Sequence, residues 1–146
     1  MIVFFDLPEE LEKHREDLKV WLNAVADTHS FRIKELQYHI VDDGRMLEVN
    51  RRHLDHDFDT DVITFGYGNN HTIKGEVFLN KDFIERSAKS LGFSMEYEFA
   101  RIMAHGLLHL CGYDDTTVAL KEQMTKEEDN ALSLQTFFKP KFHVEQ

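Results

Sequence analysis

The sequence predicts an α/β (α+β) fold, in which a small mixed four-stranded sheet is flanked by helices. Four short segments are rich in β-branched and aromatic residues, or alternate between apolar and polar side chains, as strands do. The segments between and after them carry apolar residues at helical spacing, and several begin with a capping residue. Because 146 residues suffice for one well-packed core, we expect a single domain over residues 1–146.

The first half of the chain is predicted to form two strands and two helices. They lie at residues 1–6 (strand), about 8–26 (helix), 31–41 (strand) and 46–54 (helix). Pro8 suits the first turn of a helix, and an apolar stripe follows it. In the second strand Leu36, Tyr38 and Ile40 alternate with polar residues, and residues 42–44 indicate a turn or a helix start.

The second half is predicted to form two further strands and three helices. They lie at residues 61–67 and 75–79 (strands), about 80–91, from 94 onward, and about 117–134 (helices). A polar loop at residues 68–71 joins the two strands. Asn80 and Ser94 are suited to cap helices, and Gly92 to end one. The tail, residues 137–146, is expected to be loosely held.

Composition narrows the class of protein. No apolar run approaches the roughly 20 residues of a membrane helix, so we expect no membrane association. Residues 1–5 are too short for a signal-peptide core and lack a basic start. The single cysteine, Cys111, excludes an internal disulfide and fits a reducing compartment, which indicates a cytoplasmic location.

The formal net charge of −10 bears on possible partners. Broad nonspecific binding of nucleic acid relies on many lysines and arginines that displace counterions, so this charge argues against it. RNA is still possible as a substrate, because a local basic pocket or a metal ion can bind it.

The segment from His105 to Asp115 is the most informative part of the chain. Because an α-helix turns about 100° per residue, His105 and His109 are offset by only about 40° and project from one face. Gly112 can end the helix in the left-handed conformation and let the chain bring Asp115 back to the same point. Three protein ligands with an open fourth position are typical of a catalytic zinc site.

The spacing of this segment is that of the zincin peptidases, but its chemistry differs. Their motif is H-E-x-x-H-x-x-G-x-x-H, and its glutamate is the general base. Here Gly106 occupies the glutamate position, and Asp115 occupies that of the third histidine. Peptide hydrolysis by the usual route is therefore disfavoured. The alternative is an incidental or hydrogen-bonded pair among nine histidines; the glycine and the carboxylate at zincin spacing favour metal binding instead.

The same segment resembles the signature of the YbeY family of bacterial endoribonucleases, H-G-x-L-H-L-x-G-Y-D-H. The matching residues are His105, Gly106, Leu108, His109, Leu110, Gly112, Tyr113 and Asp114. A second family block, N-x-x-Y-R-x-K-D-x-x-T-D-V-L-S-F, is matched at Asn50, Asp57, Thr60, Asp61, Val62 and Phe65. A third, G-D-I-x-I-S, is approximated by residues 75–80. The resemblance thus runs from Asn50 to Asp115 in the family's order.

The resemblance implies Zn2+ bound by His105, His109 and Asp115, and hydrolysis of single-stranded RNA during ribosomal RNA maturation. It also implies a ribosomal RNA precursor and the ribosome as partners. The fold that it implies, a small mixed sheet flanked by helices, agrees with the element order above.

Two departures from the family pattern affect the chemistry. The arginine of the second block falls on Leu54 and its lysine on His56, so the cation expected to face phosphate is missing. Arg101 lies one turn before His105 and could replace it, since a guanidinium matches phosphate bidentately; the alternative is a surface ion pair with Glu98. Asp115 adds a negative charge, which should weaken the Lewis acidity of the metal.

The remaining features are expected to be structural. We expect His53, His56 and His71 to be solvated, and residues 127–129 to form the wet face of the last helix. Met124 and Cys111 are interpreted as core residues.

Two functions of different classes fit the sequence. The first is a metal-dependent endoribonuclease that acts on ribosomal RNA precursors. The second is a non-catalytic ribosome-associated assembly factor with a structural metal. A zincin-like protease ranks below both because Gly106 removes its base.

Overall fold

The computed structural model describes residues 1–54 and 60–141, with Leu54 described in its backbone alone. Its strands are β1 (Ile2–Phe5), β2 (Arg32–Val41), β3 (Val62–Gly66) and β4 (Thr72–Asn80). Its helices are α1 (Glu9–Glu12), α2 (Arg15–Thr28), α3 (Asp43–Leu54), α4 (Lys81–Leu91), α5 (Met95–Leu110) and α6 (Val118–Leu132). The predicted α/β class is confirmed. Within the described ranges, none of these helices combines the length and the hydropathy that a membrane crossing requires.

The four strands form one mixed sheet in the order β1-β2-β4-β3. β1 pairs with β2 and β2 with β4 in parallel, whereas β3 pairs with β4 antiparallel. One row of paired residues crosses the whole sheet: Phe4, Tyr38, Val77 and Thr64. Because side chains alternate between the two faces of a sheet, this row lies on a single face.

Helix α5 covers that face and is the central helix of the fold. It packs against β3 and β4 and also contacts α2, α4 and α6. Its buried residues include Phe99, Met103 and Leu107, which join the main core. The Tyr38 hydroxyl donates a 2.9 Å hydrogen bond to the Met103 carbonyl, which ties the helix to the centre of the sheet. Burial raises the pKa of this hydroxyl, so it stays protonated.

Local capping signals place the ends of the helices around the site. The Asn80 side chain accepts hydrogen bonds from the backbone N–H groups of Asp82 and Phe83. Ser94 and Thr117 cap α5 and α6 in the same way. These caps confirm the predicted starts, because each satisfies N–H groups that the first helical turn leaves unpaired.

The predicted helix over residues 8–26 is wrong in one respect, since it is two helices. His14 separates them, and its ring lies 4.9 Å from that of Phe138 and 5.5 Å from that of Phe137. The predicted loose tail is also wrong for residues 137–141, because Phe138 is buried and Ser94 Oγ donates to the Lys139 carbonyl. The tail docks into the break between α1 and α2, a long-range contact that local patterns do not reveal.

Candidate metal centre

His105 and His109 lie in the last two turns of α5 and project from the same face, as predicted. Their Nε2 atoms are 3.0 Å apart, and their ring centroids are separated by 4.6 Å. Their side chains are 15% and 22% exposed, so both rings are partly open to solvent. The relative position of the two rings follows from the helix backbone, because residues four apart lie on the same face of a helix.

Asp115 returns to the two histidines through a tight turn after α5. Gly112 has a φ of +99°, a region that favours glycine, which confirms its predicted role. The Asp114 side chain accepts a 2.7 Å hydrogen bond from the Asp115 N–H and so shapes the turn. Asp115 Oδ2 then lies 3.5 Å from His105 Nε2 and 3.6 Å from His109 Nε2.

The three donor atoms fit a tetrahedral ion. Zinc holds nitrogen and oxygen ligands about 2.0–2.2 Å away, so neighbouring donors in a tetrahedron are about 3.3 Å apart. The observed separations are 3.0, 3.5 and 3.6 Å. This group could therefore hold a metal ion. Within residues 1–54 and 60–141, no fourth His, Cys, Asp or Glu joins it.

A buried carboxylate stands behind His105. Glu128 Oε2 lies 2.5 Å from His105 Nδ1, and Glu128 is only 4% exposed. The expectation that residues 127–129 form the wet face of α6 is therefore wrong for Glu128. Glu128 falls on the same helical face as Met124 and Ala131, which are both buried. That position between two apolar residues is the signal in the sequence that could have located it.

Arg101 is not a free cation facing the candidate metal site. Its Nε and Nη2 donate to Glu98 at 2.5 and 3.0 Å, and its Nη1 donates to Glu128 at 3.0 Å. The structure therefore agrees with the alternative, an ion pair with Glu98, and not with the suggested phosphate-binding role. The pair is partly buried rather than on the surface, because Glu98 is fully buried while the Arg101 side chain is 24% exposed. Burial alone would lower the pKa of the guanidinium, but the two carboxylates outweigh it and raise the pKa.

The electrostatics around His105 favour positive charge. Burial lowers the pKa of its imidazole, but the hydrogen bond and charge of Glu128 outweigh burial, with help from Asp61 and Asp115, so the pKa is raised. The Asp61 carboxyl is close enough to interact with both His105 and Arg101, and its own pKa is raised, chiefly by burial. The sequence matched Asp61 to a family block but predicted no role for it. The structure places Asp61 near the candidate site, within electrostatic reach of His105.

Gly106 has a steric reason to lack a side chain. A Cβ at this position would lie 2.8 Å from Val77 Cγ1 on β4. Side chains cannot be accommodated so close to a buried β-branched residue without a shift of the helix or the strand. The close packing of α5 on the sheet therefore explains why residue 106 is a glycine and not the glutamate of the zincins.

A pocket of about 590 Å3 opens beside His109. The β3–β4 turn forms one wall with Asn69, Asn70 and His71, and Phe31 contributes an aromatic ring that lies 5.0 Å from the His71 ring. Although the chain has a net charge of −10, none of the described residues that line this pocket is acidic. His71, which was expected to be merely solvated, is exposed but borders this pocket.

The turn that carries Asp115 makes a further long-range contact that the sequence did not predict. The Tyr113 hydroxyl lies 3.1 Å from His29 Nδ1, and His29 Nε2 lies 3.4 Å from Glu127 Oε2. These contacts link the turn to the end of α2 and to α6. Through His29 they restrain the segment that carries Asp115.

The other predicted residues are placed as follows. Cys111 packs at the edge of the core and Met124 is buried, which agrees with structural roles. His53 is exposed, and its ring lies 5.5 Å from that of Phe65. His56 and Asp57 lie outside the described residues, as does the side chain of Leu54.

The fold and site together define a class of protein: a mixed α/β domain whose central helix has the zincin histidine spacing but no zincin base. Comparisons with known proteins agree. A sequence model of the endoribonuclease YbeY family matches residues 6–135. The chain belongs to the endoribonuclease YbeY family.

This chain can be aligned over most of its length with individual members of the family. It is 39% identical to endoribonuclease YbeY of Cytophaga hutchinsonii over 126 residues, which cover 86% of this chain and 88% of that protein. It is 37% identical to the Bacteroides thetaiotaomicron protein of the same name, over 84% and 88% of the two chains. A solution structure of a Thermotoga maritima protein has the same fold, with a TM-score of 0.66 over 92% of this chain and 88% of that one at 22% identity.

Proposed function

We propose that this chain is a zinc-dependent endoribonuclease that cleaves single-stranded RNA in the cytoplasm during ribosomal RNA maturation and ribosome assembly. The observation that carries the proposal is the triangle of His105, His109 and Asp115 donors at the edge of a pocket. Membership of the endoribonuclease YbeY family supports RNA as the substrate. The three donors also support an open coordination position, because catalytic zinc sites usually have three protein ligands.

Each of the residues at the site would have a separate role. His105, His109 and Asp115 would hold the ion, which when bound supplies positive charge to the phosphodiester and lowers the pKa of water. Glu128 Oε2 would accept a hydrogen bond from the Nδ1–H of His105, which would leave Nε2 free to bind. Gly106 contributes no base, which disfavours peptide hydrolysis.

The pocket beside His109 is the place where a nucleotide next to the scissile phosphate would lie. Its volume suits a nucleotide-sized group, since small-molecule pockets usually measure about 300–1,000 Å3. The Phe31 and His71 rings offer aromatic surface on which a base can stack. The absence of acidic residues from the described lining suits a polyanion, which the acidic surface elsewhere would repel.

The decisive experiment measures metal content and cleavage together. The purified protein should contain about one zinc ion per chain, and it should cleave single-stranded RNA but not casein. A chelator should abolish cleavage and added zinc should restore it, and the His109→Ala variant should lose both metal and cleavage while its circular dichroism is unchanged. Cleavage of casein without RNA cleavage, or RNA cleavage that survives complete metal removal and His109→Ala, would contradict the proposal.

A non-catalytic assembly factor with a structural metal is the second candidate. It is favoured by the net charge of −10 and by Arg101, whose guanidinium is occupied by Glu98 and Glu128. X-ray absorption spectroscopy of the zinc-loaded protein separates the two functions. A fourth nitrogen or sulfur ligand from the protein would favour the structural role, whereas an exchangeable oxygen ligand would favour the enzyme.

A further inference from the structure

A continuous series of hydrogen bonds links helix α4 to the candidate metal ligand His105. Ser87 Oγ on α4 donates to Glu98 Oε2 at 2.6 Å. Arg101 joins Glu98 to Glu128, and Glu128 reaches His105 Nδ1 on the other side. The series therefore crosses from α4 through α5 to α6 and back to the metal-binding face of α5.

The direction of the last hydrogen bond determines which ring nitrogen of His105 can bind an ion. An ionised carboxylate has no proton to donate and acts only as an acceptor. In the neutral imidazole, Nδ1 must then carry the proton, and Nε2 keeps its lone pair. Nε2 is the atom that lies 3.0 Å from His109 Nε2 and 3.5 Å from Asp115 Oδ2.

The position of Glu128 is itself restrained from two sides. Its Oε1 accepts from Arg101 Nη1, and its Oε2 contacts His105 Nδ1. Arg101 in turn is held by two hydrogen bonds to Glu98, which is fully buried. A planar guanidinium held at three nitrogens has little rotational freedom, so the carboxylate that it binds is also fixed.

Stability alone is a weak explanation for this arrangement. Removing two carboxylates from water is costly, and buried ion pairs are often no more stabilising than apolar residues of similar size. The neighbours of Glu128 on the buried face of α6 are apolar, as Met124 and Ala131 show. The series ends on a candidate ligand, which indicates a role in orienting that ligand.

We propose that Glu128, held in place by Arg101 and Glu98, is a positioning residue that fixes the ring orientation and tautomer of His105 for metal binding. This inference rests on the proposed metal site. It assigns to Glu128 no contact with the metal or with RNA; Glu128 acts through His105 alone.

The test is a chelator-competition titration of zinc against the wild-type protein and three variants. Glu128→Gln preserves the size of the side chain but removes its charge, and Glu128→Ala removes the interaction altogether. Asp129→Asn is the matched control, since it makes the same charge change one residue further along α6 at an exposed position. We expect zinc affinity to fall about 10- to 100-fold in both Glu128 variants, as for other outer partners of metal-bound histidines, and less than twofold in Asp129→Asn.

A second readout distinguishes positioning from a general effect on folding. In zinc-loaded wild-type protein, ¹⁵N-edited NMR should show the His105 Nδ1 proton as a slowly exchanging, hydrogen-bonded signal. Glu128→Gln should shift this signal or make it exchange faster, while the His109 ring signals change little. Should Glu128→Ala fail to fold, Glu128→Gln carries both measurements.

The outcomes separate this inference from the proposed function. A wild-type protein that binds no metal would contradict the metal site itself. A wild-type protein that binds zinc, together with a Glu128→Gln variant whose affinity lies within twofold of it and whose His105 signal is unchanged, would overturn the positioning role alone.

Discussion

Gly106 of α5 lies so close to Val77 of β4 that a Cβ atom on residue 106 would approach Val77 Cγ1 to 2.8 Å. Val77 is fully buried in the row of residues that crosses the sheet. The helix therefore lies close to the sheet one residue after His105. This close approach leaves no room at residue 106 for the side chain that a zincin would use as its base.

Replacing Gly106 by alanine should destabilise the fold. In an open helix this change is stabilising by about 1 kcal/mol. Here overpacking against Val77 should cost about 1–3 kcal/mol, so we expect a net loss of up to about 2 kcal/mol in the free energy of unfolding. Chemical denaturation followed by circular dichroism measures it.

A Val77→Ala background provides the control. Because alanine lacks the Cγ1 methyl group, Gly106→Ala should become stabilising in that background. If Gly106→Ala has the same effect on stability in both backgrounds, the close contact does not explain the glycine.

Asp115 should contribute to metal affinity through its negative charge. Asp115→Asn keeps the shape of the side chain but weakens the donor, so zinc affinity should fall at least about tenfold, since even outer partners of ligands are worth that much. Asp115→His supplies the nitrogen donor of the family signature and should retain about one zinc per chain. Chelator competition measures both, with Glu122→Gln as a control for an exposed charge on α6. Unchanged affinity in Asp115→Asn would remove Asp115 from the ligand set.

His71 should affect RNA binding more than the rate of the chemical step. Its φ of +64° is tolerated by asparagine, so His71→Asn removes the ring with little strain in the turn. Stacking of a base on an aromatic ring is worth about 1–3 kcal/mol, so we expect KM for a short single-stranded RNA to rise at least about fivefold with kcat little changed. His14→Asn is the control: the His14 ring packs on Phe137 and does not line the pocket, so this variant should leave KM unchanged. A drop in kcat at constant KM would place His71 in another role.

Cys111 should be an unreactive thiol in the native protein. Burial disfavours the thiolate and raises the pKa of Cys111 to about 12, so at about pH 8 very little of it is ionised. Alkylation by iodoacetamide at that pH should be at least about 100-fold slower than in the urea-unfolded chain. Mass spectrometry of timed samples gives both rates. Equal rates would mean that the thiol is accessible and ionises normally.

Much of the fold and the candidate ligand set could be predicted because the signals are local. The four-residue spacing of His105 and His109 lies within one helix, and Gly112 acts within the turn that follows. The capping roles of Asn80 and Ser94 likewise depend on residues two or three positions away. Patterns of this kind depend only on residues close together in the chain, so they can be recognised from the sequence alone.

The errors concern contacts between residues that are distant along the chain. Glu128 lies 23 residues from His105, and it occurs in an acidic run that has the composition of a solvated surface. Arg101 was a candidate for phosphate binding because it lies one turn before His105, and its own helix offers only Glu98 as an alternative partner. Nothing in that helix shows that Glu128 of α6 also accepts from its guanidinium. The contact of His14, at the break between α1 and α2, with the tail is likewise between residues distant along the chain.

The sequence by itself determined the α/β class, the order of the elements, and the group of His105, His109 and Asp115, because helix periodicity and turn chemistry act over a few residues. Only the tertiary structure decided that Glu128 is buried behind His105, that Arg101 is engaged, and that a pocket without acidic lining residues in its described part opens beside His109. These features arise where helices and the sheet pack together. A charge that burial removes from water must be paired with another protein group, and the fold decides which groups are near it.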